Sequence, residues 1–163
     1  MSRLIALVVV ASLAACVGGR GDLPKGAFRD SSRQLYSSAV LDHAKLPGRW
    51  TQVAAFGPAT GCKAGGVEIA PDGHAAFRLC LNGREVKGTG ALQPIGPGRF
   101  AVARQEWWVL WADGDYRTLV IGTPSGAFGF VLNRGGAISP DRLTAAREIL
   151  DWNGYDLRQF HPL

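Results

Sequence analysis

After the turn at Pro47-Gly48, Trp50, Gln52, Ala54 and Phe56 alternate with Arg49, Thr51, Val53 and Ala55. A period of two places successive side chains on opposite faces of an extended strand. Similar short segments recur along the chain, separated by turn residues. Strands are predicted over 49–56, 66–70, 74–81, 84–92, 99–103, 106–112, 116–122 and 127–132. Pro71-Asp72-Gly73, Asn82-Gly83, Pro94 to Gly98, Asp113-Gly114-Asp115 and Pro124-Ser125-Gly126 punctuate them. Asn-Gly is the favoured two-residue hairpin turn. With no crossover between them, the eight segments predict an all-β, up-and-down antiparallel meander. Closing it into a barrel removes its edges.

The pattern changes at residue 139. SPDRLTAAREILDWN carries Leu143, Ala146, Ile149 and Leu150 at helical spacing. Ser139 suits the N-cap, Pro140 the first turn, Asp141 the positive end of the helix dipole and Gly154 the stop. Such a helix packs against the outside of a sheet. A short extended tail, LRQFHPL, ends the chain.

The first fifteen residues differ from the rest. Arg3 precedes an apolar run, Leu4 to Ala15, too short to span a bilayer, and the run ends Leu13-Ala14-Ala15-Cys16. This resembles a bacterial lipobox, so residues 1–15 are expected to be a signal peptide and Cys16 the lipidated first residue. Val17 in place of an aspartate points, by resemblance to sorted lipoproteins, to the outer membrane, with the domain on its periplasmic face. The Gly- and charge-rich stretch that follows predicts a tether over 16–39, leaving one domain over 40–163. The Arg20-Gly21-Asp22 tripeptide within it is too short to carry information.

Composition adds limits. Gly 22 and Pro 9 suit many turns, and 47% hydrophobic residues suffice for a core. The formal charge of +5 falls to +4 when Arg3 is removed, with no long basic run. That argues against nucleic acid as a partner. Cys62 and Cys80, in an oxidising compartment, are expected to pair. Metal binding is the alternative, but these thiols with His43, His74 and His161 form no recognised ligand spacing, and neither metal nor cofactor is expected. No catalytic site is expected either. Gly122-Thr123-Pro124-Ser125-Gly126 sets its serine out of register for a nucleophile elbow, and Gly88-Thr89-Gly90 lacks the third glycine of a dinucleotide loop.

Three short motifs stand in order: Gly48-Arg49-Trp50 opening the first strand, Asp113-Gly114-Asp115-Tyr116 between the sixth and seventh, and Val131-Leu132-Asn133-Arg134 closing the eighth. Leu41 to Lys45 leads in ahead of them. Over residues 40–160 this order resembles the lipocalins, specifically the bacterial outer-membrane lipoprotein type. Following the meander up and down brings Gly48, Trp50, Asp113, Tyr116 and Arg134 to one closed end, with Arg134 over the Trp50 ring. It carries Cys62 and Cys80 to the open end. The resemblance implies a cavity for a small hydrophobic or amphiphilic ligand, a fatty acid or lysophospholipid. Its expected walls are Ala54, Phe56, Trp107, Val109, Thr118, Val120, Phe128 and Phe130, with Trp111 on the same face as Val109. The polar head is expected near Arg104 or Lys63. The inward face of 74–81 stays unassigned. The competing expectation is a barrel filled by its own rings, acting as a structural or protein-interaction module.

Overall fold

A computed structural model describes residues 27–163. The expected signal peptide, Cys16 and the Arg-Gly-Asp tripeptide lie outside the described residues. Ten strands and one helix follow a short lead-in turn at His43–Lys45. In chain order the strands are β1 (Gly48–Phe56), β2 (Gly66–Ile69), β3 (His74–Leu81), β4 (Arg84–Ala91), β5 (Gln93–Gly96), β6 (Arg99–Val102), β7 (Gln105–Ala112), β8 (Thr118–Gly122) and β9 (Gly129–Asn133). Helix α1 (Pro140–Trp152) and β10 (Phe160–Pro162) complete the chain.

All pairings are antiparallel, in the order β4-β3-β2-β1-β9-β8-β7-β6-β5, with β10 on the upper end of β1. The two ends of this path, β4 and β5, are joined by a single residue, Leu92. One stretch of chain therefore pairs with β3 over its first part and with β6 over its second. The cylinder closes through covalent continuity, not through a further ladder. Gly88 lets the seam draw tight: a Cβ there would collide with the Phe77 ring and stand 3.0 Å from the Ala103 Cβ.

The strand boundaries around β5 and β6 differ from expectation. Residues 94–96 belong to β5, and the turn contracts to Pro97-Gly98, Gly98 taking a positive φ of 62°. Pro94 is tolerated because β5 ends the hydrogen-bonded path and needs no second donor edge. The β6 strand stops at Val102 because Ala103 and Arg104 both turn left-handed, at φ 46° and 63°, as a two-residue hairpin requires.

Part of the stretch expected as tether packs on the domain instead, from Phe28 on. Phe28 and Leu35 are buried. Phe28 N–H bonds to Gly126 O at 2.6 Å and Asp30 N–H to Gly154 O at 2.9 Å. Arg29, 2% exposed, donates to the carbonyls of Asn153, Pro124 and Arg33. Burial pushes its pKa down, and these acceptors compensate part of the lost hydration.

The core has two layers. One fills the barrel, with Trp50, Phe77, Leu79, Trp107, Ile121 and Phe130 among its members. The other lies between the barrel wall and α1, where Ala146 and Leu150 meet Phe56, Val120, Val131 and Tyr155. Every residue of β8 and β9 is consequently buried. These strands read as unbroken apolar runs because both their faces are covered.

Candidate functional site: the barrel lumen and its base

The base gathers the three motifs. Trp50 enters the lumen, 2% exposed, and its indole N–H donates to Leu46 O at 2.9 Å. The Arg134 guanidinium lies 3.9 Å from the Trp50 ring centroid. One of its nitrogens also faces the carbonyls of Lys45, Leu46 and Pro47 at 2.7, 2.9 and 3.0 Å. Arg134 thus ties the lead-in turn to the ring. Burial depresses its pKa, and its Nε has no partner. Gly48, at φ 121°, holds a conformation that side chains rarely adopt, directly beneath that guanidinium. Asp113 accepts from the N–H of Arg117 and Thr118 at 2.7 and 2.6 Å, fixing the turn between β7 and β8. Tyr116 then reaches the lead-in turn, its hydroxyl accepting from Asp42 N–H at 2.7 Å.

At the mouth, Cys62 and Cys80 are bonded, with Cα atoms 5.6 Å apart. The bridge holds the loop after β1 against the end of β3. Because β2 is only four residues long, β1 and β3 face each other above it. Gln52 fills that gap: its side-chain oxygen accepts from Cys80 N–H and its nitrogen donates to Cys80 O, each at 2.8 Å.

The expected wall residues divide between the two layers. Trp107, Val109 and Phe130 face the lumen, and half-buried Phe128 packs beside them at the rim. Ala54, Phe56 and Val120 lie outside, beneath α1, and Trp111 packs there too. Thr118 also faces outward, donating to Asn133 Oδ1 at 2.9 Å and lying 3.5 Å from Arg142 of the helix. These assignments to the lumen are corrected. In β1 the cause is a register shift between Gln52 and Ala54. This bulge puts Ala55 inside and its neighbours outside. A second shift, between Val109 and Trp111, turns Trp111 outward. In β8 the cause is phase: Leu119 pairs with Leu132 and Ile121 with Phe130, all inside, so Thr118 and Val120 point out.

The unassigned third segment supplies Ala75, Phe77, Leu79 and Leu81 to the lumen. Their alternation with exposed His74, Ala76 and Arg78 was the available signal. Phe77 meets Trp107 at 5.0 Å between centroids, and Trp107 meets Phe130 edge-on at 5.3 Å. This chain of rings links β3, β7 and β9 across the barrel. Trp107 Nε1 donates to Gln105 Oε1 at 2.9 Å, which orients the indole. Val86, Ala103 and Phe128, all half-buried, pack against the lumen cluster. Arg104 and Lys63 are exposed, in the β6–β7 turn and the disulfide-bonded loop. Outward-facing Trp108 is covered by Arg99, 3.9 Å from its ring centroid, and donates to Glu106 at 2.6 Å. Two concavities lie off the lumen. One of about 690 Å³ runs over the outer face of β1 to β4, past Arg49, Arg78 and Lys87. Another of about 550 Å³ undercuts the base beside His43, Pro71 and Phe100.

Comparison with known proteins agrees with this architecture. Residues 93–163, from β5 to β10, match the lipocalin-like domain family. A cockroach major allergen, Per a 4, superposes with a TM-score of 0.56 at 14% identity, over 82% of this chain and 95% of that one. Lobster apocrustacyanin A1 gives 0.50 at 12% identity, over 74% and 78%. Apocrustacyanin C1 gives 0.55 at 12%, over 86% and 92%. No curated protein sequence matches. The C-terminal part of the chain thus matches a lipocalin-like domain, and the barrel with its helix has the lipocalin fold.

Proposed function

We propose that this chain is a lipid-anchored envelope lipocalin that binds a slender apolar or amphiphilic molecule, a fatty acid or lysophospholipid, through the mouth of its barrel. The carrying observation is the lumen itself. It is walled by apolar side chains from the rim at Phe128 down to Trp50, and the amide of Gln52 is committed to Cys80. An acyl chain that parts these packed side chains leaves water for hydrocarbon and aromatic contact. Ten methylenes gross about 8 kcal/mol, which after ordering and association costs corresponds to affinity of about micromolar. Lys63, exposed in the disulfide-bonded loop, and Arg104, exposed in the β6–β7 turn, are the proposed partners of an anionic head group. The lipobox-like Leu13-Ala14-Ala15-Cys16 supports the anchor, and Val17 supports the outer membrane.

A second reading, a filled barrel serving as an interaction module, is favoured by the Phe77–Trp107–Phe130 contact across the lumen. Titration with oleate, followed by tryptophan emission, separates the two. Binding inside the barrel moves Trp107 out of this stack, so emission changes and saturates. Trp107→Phe removes the change while calorimetric binding persists, and Phe130→Arg, checked by circular dichroism for folding, removes both. Protein isolated without bound lipid and unresponsive to oleate by either measure establishes the filled module.

A further inference from the structure

Among the described residues, five large apolar side chains are exposed: Tyr36, Val40, Ile95, Trp152 and Leu163. Four of them follow one path. The segment 33–40 starts at the C-terminal end of α1, where Arg33 donates to the carbonyls of Asp151 and Trp152 at 3.2 and 3.0 Å. Tyr36 N–H then bonds to the side chain of Asn153, the residue after Trp152, at 2.8 Å. Ser37 donates to Pro97 O at 2.8 Å, beside β5 and its Ile95. Ser38 N–H bonds to Val109 O at 2.8 Å, and Val40 follows. The strip therefore runs down the barrel flank from the mouth end toward the base. Leu35, buried under it, fixes the segment, so its apolar side chains face outward on a rigid support.

We propose that this strip is the face with which the protein docks on a lipid surface, Trp152 and Tyr36 entering the interface. Aromatic side chains with one polar atom suit that boundary. The proposal rests on the anchored reading above, because the point of chain entry selects the occupant. Phe28 is bonded to Gly126 in the β8–β9 loop at the mouth, and buried Arg29 locks the same turn through Pro124 and Asn153. From Cys16 to Ala27 there are about eleven residues, reaching at most about 40 Å and on average about 18 Å. A lipid on Cys16 thus holds the mouth end of the barrel, and Trp152 with it, next to the bilayer. Exposed Asp30 and Asp151 lie beside Arg33, so the strip carries no net basic patch. Docking is accordingly expected on zwitterionic lipid and to resist salt, unlike polybasic attachment.

The test uses the full mature lipoprotein, purified in detergent and reconstituted into phosphatidylcholine vesicles, with and without bromine on the acyl chains. Trp50 and Trp107 are sealed, while Trp152 is 68% exposed, so Trp152→Phe isolates its signal without touching the core. Docking predicts that brominated lipid quenches a component of wild-type emission missing from Trp152→Phe. Acrylamide access to Trp152 is expected to fall several-fold on reconstitution. Mass measurement of the N-terminal peptide and vesicle flotation report the anchor separately. An acylated protein that floats, yet shows identical bromolipid quenching with and without Trp152, overturns docking and leaves the anchor standing. Shielding of Trp152 that rises with protein concentration in the absence of vesicles assigns the strip to a second copy and overturns it too. A chain neither acylated nor floating removes both readings. An unacylated chain whose Trp152 is still quenched upholds docking alone.

Discussion

Arg134 does two things at once at the base of the barrel, and its replacement by methionine separates structural closure from simple core burial. Its guanidinium lies 3.9 Å over Trp50, a contact worth about 0.5–2 kcal/mol. The nitrogen facing three carbonyls of the lead-in segment has two hydrogens, so two charge-assisted bonds at most are made well. Each contributes about 1.5–3 kcal/mol. Against this stand the burial that lowers the Arg134 pKa and the unpartnered Nε. The net loss for Arg134→Met is about 2–3 kcal/mol, which lowers the urea midpoint by about 1 M at an unchanged slope. The sharper assay is a double-mutant cycle with Trp50→Leu. Cation and ring together predict a coupling energy of about 1 kcal/mol. Single effects that add to within about 0.3 kcal/mol refute the reasoning, because Trp50 is then only a buried ring and Arg134 only a surface tie.

Three further outcomes follow from the geometry. Cys80→Ser opens the loop closed by the bridge to Cys62, 18 residues away, and is expected to cost about 3 kcal/mol in denaturant unfolding, with faster proteolysis between 57 and 65. Gly129→Ala sets a Cβ 2.9 Å from the Tyr155 ring and 3.0 Å from that of Phe56, both fixed in the outer layer, and is expected to lower stability by about 1–3 kcal/mol. Burial raises the Tyr155 hydroxyl to about 12, above its unfolded value near 10. The folded state therefore keeps the proton that the unfolded state releases. Its stability is full below pH 10 and falls as pH rises to about 12, by about 3 kcal/mol. Urea midpoints at pH 9 and pH 11.5 measure this fall, and Tyr155→Phe is expected to lack it.

The sequence alone determined the meander, the helix after it and the base. Each is a local signal. Alternation marks a strand with one wet face, as in β3, and turn chemistry marks Asn82-Gly83 and the Asp113 turn. The motifs around Trp50, Asp113 and Arg134 fall at strand ends, where counting strands up and down is enough to bring them together. Tertiary structure decided which faces line the lumen. In β8 and β9 both sides are apolar, one against the barrel interior and one against α1, so the residues carry no phase. In β1 and β7 a bulge reverses the phase midway, and no side chain announces it. The path of 27–39 over the flank was also a tertiary decision. Its two buried apolar residues, Phe28 and Leu35, are too few to show a period. Only the groove beside α1, built by distant parts of the chain, gives them a place to bury.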